Sequence, residues 1–161
     1  MSKITLVLDN LRSCQNVGSI LRTCDGLGVS SVVCIGTSPY PRVKDDERLP
    51  HMADRQTKQI AKSSLGAETT VKVLYYPSID DYLAAYHNVN RVALEQTDSS
   101  VGLSSYKLTA DIHLVVGNEV NGVSKKLLDE SAHYVEISMQ GKKESLNVAV
   151  ATGIALHQLL L

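Results

Sequence analysis

Neither phenylalanine nor tryptophan occurs in these 161 residues, and seven tyrosines are the only aromatics. A core must therefore rest on Leu, Val, Ile and Ala. Long hydrophobic runs are missing as well: nothing approaches the roughly 20 apolar residues that a membrane span needs. The start, Met1-Ser2-Lys3-Ile4-Thr5, lacks the build of a signal peptide. A cytoplasmic protein with no membrane contact is the expectation. Cysteine is scarce, at Cys14, Cys24 and Cys34. Their odd number and the lack of a Cys-x-x-Cys pair suggest neither a disulfide framework nor a zinc site, and structural thiols are the expectation. No Gly-x-Gly-x-x-Gly follows a strand, no Walker loop is present, and five histidines are scattered. The serine pairs at 99–100 and 104–105 lack a nucleophile elbow. No metal is expected.

A strong charge of one sign is also lacking, since the formal net charge is -1. Its distribution is uneven. Residues 1–62 hold nine Lys or Arg against six Asp or Glu, and the remainder seven against eleven. Arg42, Lys44, Arg48, Arg55, Lys58 and Lys62 crowd one stretch. Two readings stand side by side: a phosphate-contacting surface, or a solvated loop and helix diluted by Asp45, Asp46 and Glu47.

What is there is an ordinary globular balance, 43% apolar and 20% charged. The chain is long enough to bury a core. No linker, repeat or low-complexity segment divides it, so one domain over 1–161 is expected. Strands are expected at Ile4–Leu8, Ser31–Ile35, Val71–Tyr75, Arg91–Leu94, Leu114–Val116 and Val135–Met139, stretches rich in β-branched or apolar residues. Val17, Ile20, Leu21, Cys24 and Leu27 fall at helical spacing, with Ser13 or Asn16 as cap and Gly28 as stop. Helices are also expected over Ala53–Ser64, Ile79–Tyr86, Lys125–Leu128 and from about Ser145 onward. Residues 36–50 hold three prolines and read as a long loop, a length usual only where loops are functional or mobile. Strands alternating with helices give an α/β fold with a mostly parallel sheet flanked by helices.

Chemistry concentrates at three places. The first is Asn16-Val-Gly-Ser-Ile-Leu-Arg22-Thr-Cys-Asp-Gly-Leu-Gly28. The second is Leu114-Val-Val-Gly117-Asn118-Glu119-Val-Asn-Gly122-Val-Ser. The third runs from Tyr134 through Ile137, Met139 and Gly141 to Ser145-Leu146-Asn147 and on into an apolar helix. There, a buried strand, a Gly-containing loop and polar residues at a helix start suit a small polar ligand held by backbone groups. A carboxylate such as Glu119, at the carboxyl end of a parallel strand, sits where open α/β sheets bind ligands; it could equally serve the helix before Lys125-Lys126.

The three segments, in this order, resemble the motifs of the SpoU (TrmH-like) RNA ribose 2′-O-methyltransferases of the SPOUT superfamily, over nearly the whole chain. The resemblance implies a C-terminal trefoil knot and the cofactor S-adenosylmethionine, converted to S-adenosylhomocysteine without a metal. It implies catalytic roles for Arg22, Asn16, Glu119, Ser145 and Asn147. Arg22 would act at the ribose hydroxyl, and Glu119 would support the cofactor loops and the arginine. A guanidinium is a poor proton acceptor near neutral pH, so Arg22 is either a base in a special setting or a bidentate phosphate clamp; both readings stay open. Asn16 could cap its helix and bind the arginine or RNA. Ser145 is read as a helix N-cap. The cofactor would lie against Ile137, Met139 and Leu146, with Gly117, Asn118, Glu119, Ser145 and Asn147 beside it. Leu94, Glu95 and Thr97, at the end of the fourth strand, are further cofactor candidates. Ser138 stands where the family usually has proline, which loosens the loop without removing a functional group.

RNA contacts are expected from Arg12, Arg22, Arg42, Lys44 and Arg55. The C-terminal helix, apolar on more than one face through Val148, Val150, Ile154, Leu156, Leu159 and Leu160, must be buried in the core or against a partner. That agrees with the family's homodimer, in which Arg22 would approach the partner's cofactor. Many relatives carry an extra RNA-binding extension that this chain lacks, which leaves room for an accessory protein. Transfer RNA is the favoured substrate and ribosomal RNA the alternative. A catalytically silent RNA-binding protein of the same fold is the non-enzyme reading, and a base-modifying enzyme is disfavoured by the motif set.

Overall fold

The computed structural model describes residues 2–161. Its strands are β1 (Ile4–Asp9), β2 (Ser31–Ile35), β3 (Lys72–Tyr76), β4 (Arg91–Leu94), β5 (Val101–Gly102), β6 (Ile112–Val116) and β7 (His133–Glu136). They form one sheet in the order β3-β2-β1-β6-β4-β7-β5. Every pairing is parallel. β6 is thus slotted between β1 and β4, both of which precede it in the chain.

The helices are α1 (Cys14–Leu27), α2 (Pro50–Ser64), α3 (Ala67–Thr70), α4 (Ile79–Ala85), α5 (Lys125–Asp129) and α6 (Val148–Leu160). Alternation along the strands assigns them to two faces. Leu6, Leu8, Val32, Cys34, Leu114 and Val116 point to one side and pack with Val17, Ile20, Leu21, Ile60, Leu156 and Leu159 of α1, α2 and α6. Val7, Val33, Ala93 and Val115 point to the other and meet Tyr82 of α4 and Leu127 of α5. The result is a three-layer α/β/α fold. The core is aliphatic, as the missing Phe and Trp require.

Several boundaries differ from the sequence expectation for identifiable reasons. The last strand ends at Glu136, and Ile137 and Met139 belong to the loop after it, where they line a cavity. Their apolar character serves that lining, not strand pairing. The C-terminal helix starts at Val148. Its N-cap is Asn147, whose Oδ1 accepts from the amides of Ala149 (2.9 Å) and Val150 (3.4 Å), and Ser145 is not the cap. α2 begins three residues early, at Pro50, because a proline fits the first helical position. β5 and α3, two and four residues long, are too short for periodicity to show.

The loop over 36–49 is held down rather than loose. Arg48 bonds Asp46, the Tyr40 and Pro41 carbonyls and Gln56, and lies 3.6 Å from the centre of the Tyr40 ring. Tyr40 stacks in turn on Tyr75, 4.0 Å between centroids. Hydrogen bonds from the Arg48 side chain hold the Asp46 carboxyl well below the usual carboxylate range. α1 and α2 touch closely: a Cβ on Gly18 would lie 2.4 Å from the Ile60 carbonyl oxygen, so only glycine fits.

Candidate functional site

All strands being parallel, the loops that leave their carboxyl ends gather on one edge of the sheet. Loops after β4, β6 and β7, together with the start of α6, enclose a cavity of about 590 Å³. That size and place are typical of a small-molecule site in an α/β sheet. Leu94, Val116, Ile137, Val148 and Ala151 form apolar walls; Glu95, Asn118, Glu119, Glu136, Ser145 and Asn147 add polar groups.

The loop after β6 closes on itself. Asn118 and Gly122 exchange backbone hydrogen bonds of 2.9 Å each way. Asn118 Oδ1 accepts from the amides of Val120 (2.8 Å) and Asn121 (3.2 Å), while its Nδ2 donates to the Asn10 carbonyl at 2.6 Å. The side chain of Asn118 is therefore committed to shaping the turn. Gly117 is pressed against this loop: a Cβ there would be 2.1 Å from the Gly122 carbonyl carbon and the Val123 nitrogen. Two acids pin the loop's far end, Asp9 being one that carries no local sequence signal. Glu95 accepts from the Val123 amide at 2.8 Å, and the buried Asp9 accepts from the Ser124 amide (2.7 Å) and hydroxyl (2.6 Å).

A relay joins the three motif segments. Asn147 Nδ2 donates to Asn16 Oδ1 at 3.2 Å, and Asn16 Nδ2 donates to Glu119 Oε1 at 3.1 Å. The direction is dictated. Asn147 spends its oxygen on the α6 amides, so it can only donate to Asn16, and Asn16 then has only its amide nitrogen for the carboxylate. Glu119 also accepts from the Arg12 amide at 3.2 and 3.3 Å. Partial burial opposes its ionisation. Hydrogen bonds from its own amide, Asn16, Arg12 and Ser13 outweigh that, and its carboxyl is held below the ordinary value. Glu119 thus sits at the start of α1, not of α5. Ser13, accepting from the Asn16 amide at 3.2 Å, is the α1 cap.

The structure brings together Asn16, Glu119 and Asn147, and around the cavity Leu94, Gly117, Asn118, Ile137, Met139, Ser145 and Leu146. Thr97 is not in the lining; its hydroxyl pairs with Ser99 and Ser100 in a local turn. Arg22 is exposed and also outside the lining, six residues or about 9 Å along α1 from Asn16. It forms no ion pair among the described residues. Arg12 and Lys44 are exposed, while Arg42 pairs with Asp54 at 2.9 Å. On α6, Val150 and Ile154 are exposed one turn apart. No cluster of metal-binding side chains occurs among the described residues, and no helix among them is long and apolar enough to cross a membrane.

An S-adenosylmethionine-sized ligand suits this cavity on its own terms. Apolar walls match an adenosine, and Met139 and Leu146, whose backbone groups make no hydrogen bond among the described residues, are part of the lining.

Comparison with known proteins gives the same direction. The model of the SpoU rRNA Methylase family matches residues 3–157. A provisionally named TrmH family tRNA/rRNA methyltransferase of Staphylococcus aureus is 29% identical over 155 residues, 95% of this chain and 56% of that protein. The chain thus spans about half the length of the curated relatives it matches. Among solved structures, an AdoMet-bound rRNA methyltransferase from Sinorhizobium meliloti superposes with a TM-score of 0.80 at 24% identity, over 97% of this chain and 55% of that one. The TrmH/SpoU tRNA modifying enzyme of A. aeolicus gives 0.78 at 25% identity, over 99% and 75%.

Proposed function

This chain belongs to the SpoU methylase family, and from that premise we propose that it is an S-adenosylmethionine-dependent RNA methyltransferase acting on a ribose 2′-hydroxyl, with transfer RNA as the favoured substrate. The observation that carries the reading is the relay Asn147–Asn16–Glu119, which ties the three motif segments to the rim of one ligand-sized cavity. Relatives named for tRNA and for rRNA both occur. Residues 1–161 act as one methyltransferase domain, and the family's trefoil knot falls in the segment from β6 to α6.

S-adenosylmethionine supplies a methyl group activated by a sulfonium, so transfer needs no metal. Ile137, Met139 and Leu146, which line the cavity, would hold it through backbone groups. Gly117 and Gly122 let the β6 loop close on itself at the cavity. Transfer would make a bond from the methyl carbon to the ribose oxygen and break the bond to sulfur, with the hydroxyl proton leaving to water. Arg22, a charged and planar fork, clamps the phosphate beside the target ribose and aligns the hydroxyl. It does so at the cavity of a second subunit, since it stands outside its own. Val150 and Ile154, exposed on α6 beside α1, supply apolar surface for that homodimer. Arg12 adds a phosphate contact.

The test is methyl transfer from radiolabelled S-adenosylmethionine to total small RNA, followed by digestion and nucleoside identification, with Arg22→Ala alongside. A labelled 2′-O-methylnucleoside that disappears in the variant supports the reading. A labelled base would move the activity to another branch of the fold. Absence of both transfer and cofactor binding would remove the enzyme reading.

A further inference from the structure

The basic stretch noted in the sequence divides once folded. Arg48 is consumed by its own loop and Arg42 by Asp54. What remains lies on α2: His51, Arg55, Lys58 and Lys62, all exposed. At 100° per residue these four fall within a band of about 60°, on the side opposite Ala53, Ile60 and Ser64, which face the core. They form a single row along the crest of the helix, with neighbours one helical step apart. None of the four forms an ion pair among the described residues. Asp54 is the sole acid in Pro50–Ser64, and Arg42 neutralises it at 2.9 Å. In a chain of net charge -1, such a row left without counter-charges is a local field suited to a polyanion.

The row also has a direction. On the flank of α2 next to the crest, Gln59 accepts from Cys14 at 3.5 Å and Ser63 Oγ donates to the Gln15 carbonyl at 3.0 Å. Gly18 closes the contact against Ile60. The carboxyl half of α2 is therefore fixed against the first turns of α1. Those turns carry Asn16, and the exposed face of α1 carries Arg22. Asp80, Asp81 and Asp129 belong to α4 and α5 on the opposite face of the sheet.

We propose that the α2 crest, His51–Arg55–Lys58–Lys62, is the track that binds the RNA phosphate backbone and leads the strand to Arg22. The proposal rests on the methyltransferase reading and deepens it by naming where the substrate is held. Backbone contacts of this kind position RNA without reading its sequence. They make affinity strongly dependent on salt, and each phosphate contact adds roughly 0.7 (single strand) to 0.9 (duplex) to the slope of log affinity against log salt.

The experiment measures binding of fluorescein-labelled unfractionated tRNA between 50 and 300 mM salt. It compares the full chain with the triple variant Arg55→Gln/Lys58→Gln/Lys62→Gln and a control triple, Lys3→Gln/Lys72→Gln/Lys107→Gln. These are exposed on both sides, so melting temperature and S-adenosylmethionine affinity should match the parent in each. The crest variant should lose about 2 units of salt slope and raise the RNA KM with kcat unchanged at saturation. An unchanged slope and KM, in a protein whose parent binds and methylates RNA, overturns the crest and leaves the function standing. An equal loss in the control triple overturns it too, by showing diffuse attraction. A parent that binds no RNA removes both.

Discussion

Asn147 does two jobs with one side chain, and substitution can separate them. Its oxygen caps α6 through the amides of Ala149 and Val150, and its nitrogen starts the relay to Asn16 and Glu119. Asn147→Ala loses both. The cap alone is worth about 1 kcal/mol, or roughly 2–4 °C in melting temperature for a chain of this size. Asn147→Asp keeps the cap, and a negative charge at a helix N-terminus is favourable, so its melting temperature should stay near the parent's. The carboxylate has no proton for Asn16 Oδ1, however. Asn16 must turn its nitrogen toward residue 147 and its oxygen toward Glu119, which then loses a donor. A hydrogen bond to a charged group is worth about 1.5–3 kcal/mol. Since 1.36 kcal/mol is tenfold in rate, methyl transfer should fall roughly tenfold to a hundredfold. Thermal unfolding and single-turnover methyl transfer on both variants decide the matter. Full activity in Asn147→Asp would refute a functional relay, and an aspartate variant as unstable as the alanine one would refute the cap.

Two further outcomes follow from the geometry. Gly117→Ala places a Cβ 2.1 Å from the backbone of Gly122 and Val123, whereas nothing lies within 4 Å of a Cβ at Gly141. The first variant should lose about 1–3 kcal/mol of stability and at least tenfold in S-adenosylmethionine affinity by calorimetry, while Gly141→Ala keeps both. His113 is packed under α4 with Nδ1 2.8 Å from the Tyr82 hydroxyl, and burial, aided by the Arg91 charge, lowers its pKa to about 4. The unfolded chain takes up that proton near 6.5, so the contribution of His113 is complete above pH 6.5 and drains away as pH falls toward 4. Melting temperature should decline over that window in the parent and less in His113→Gln, and a ring titrating near 6.5 by NMR would contradict the argument.

Much of the fold was legible because its signals are local. β2 and β4 match their apolar runs to the residue, and Gly28 stops α1 as a left-handed cap. The motif segments pointed to Asn16, Glu119 and Asn147, which do meet. Other features are settled only by contacts distant in sequence. Ser145 and Asn147 are both good caps in isolation; Asn147 is the one that also reaches Asn16, 131 residues away. Glu95 was legible as a pocket candidate and Asp9 only as part of a polar turn, and only the folded loop shows that they hold Val123 and Ser124. Arg48 counted toward a basic patch because a charge tally cannot see that Tyr40, Asp46 and Gln56 enclose it.

The slotting of β6 between β1 and β4 constrains how the chain is made. β2 can pair with β1 as soon as residue 35 has been synthesised, but the other edge of β1 must wait for residues 112–116. Until then β1 and β4 present the unpaired N–H and C=O groups that invite association with other chains. At about 5–20 residues per second, the roughly 75 residues between Ile35 and Ile112 keep that edge open for several seconds on the ribosome. The hazard of this architecture therefore lies in its biosynthesis: a chain halted between Gly102 and Ile112 carries five of the seven strands and still has no completed centre.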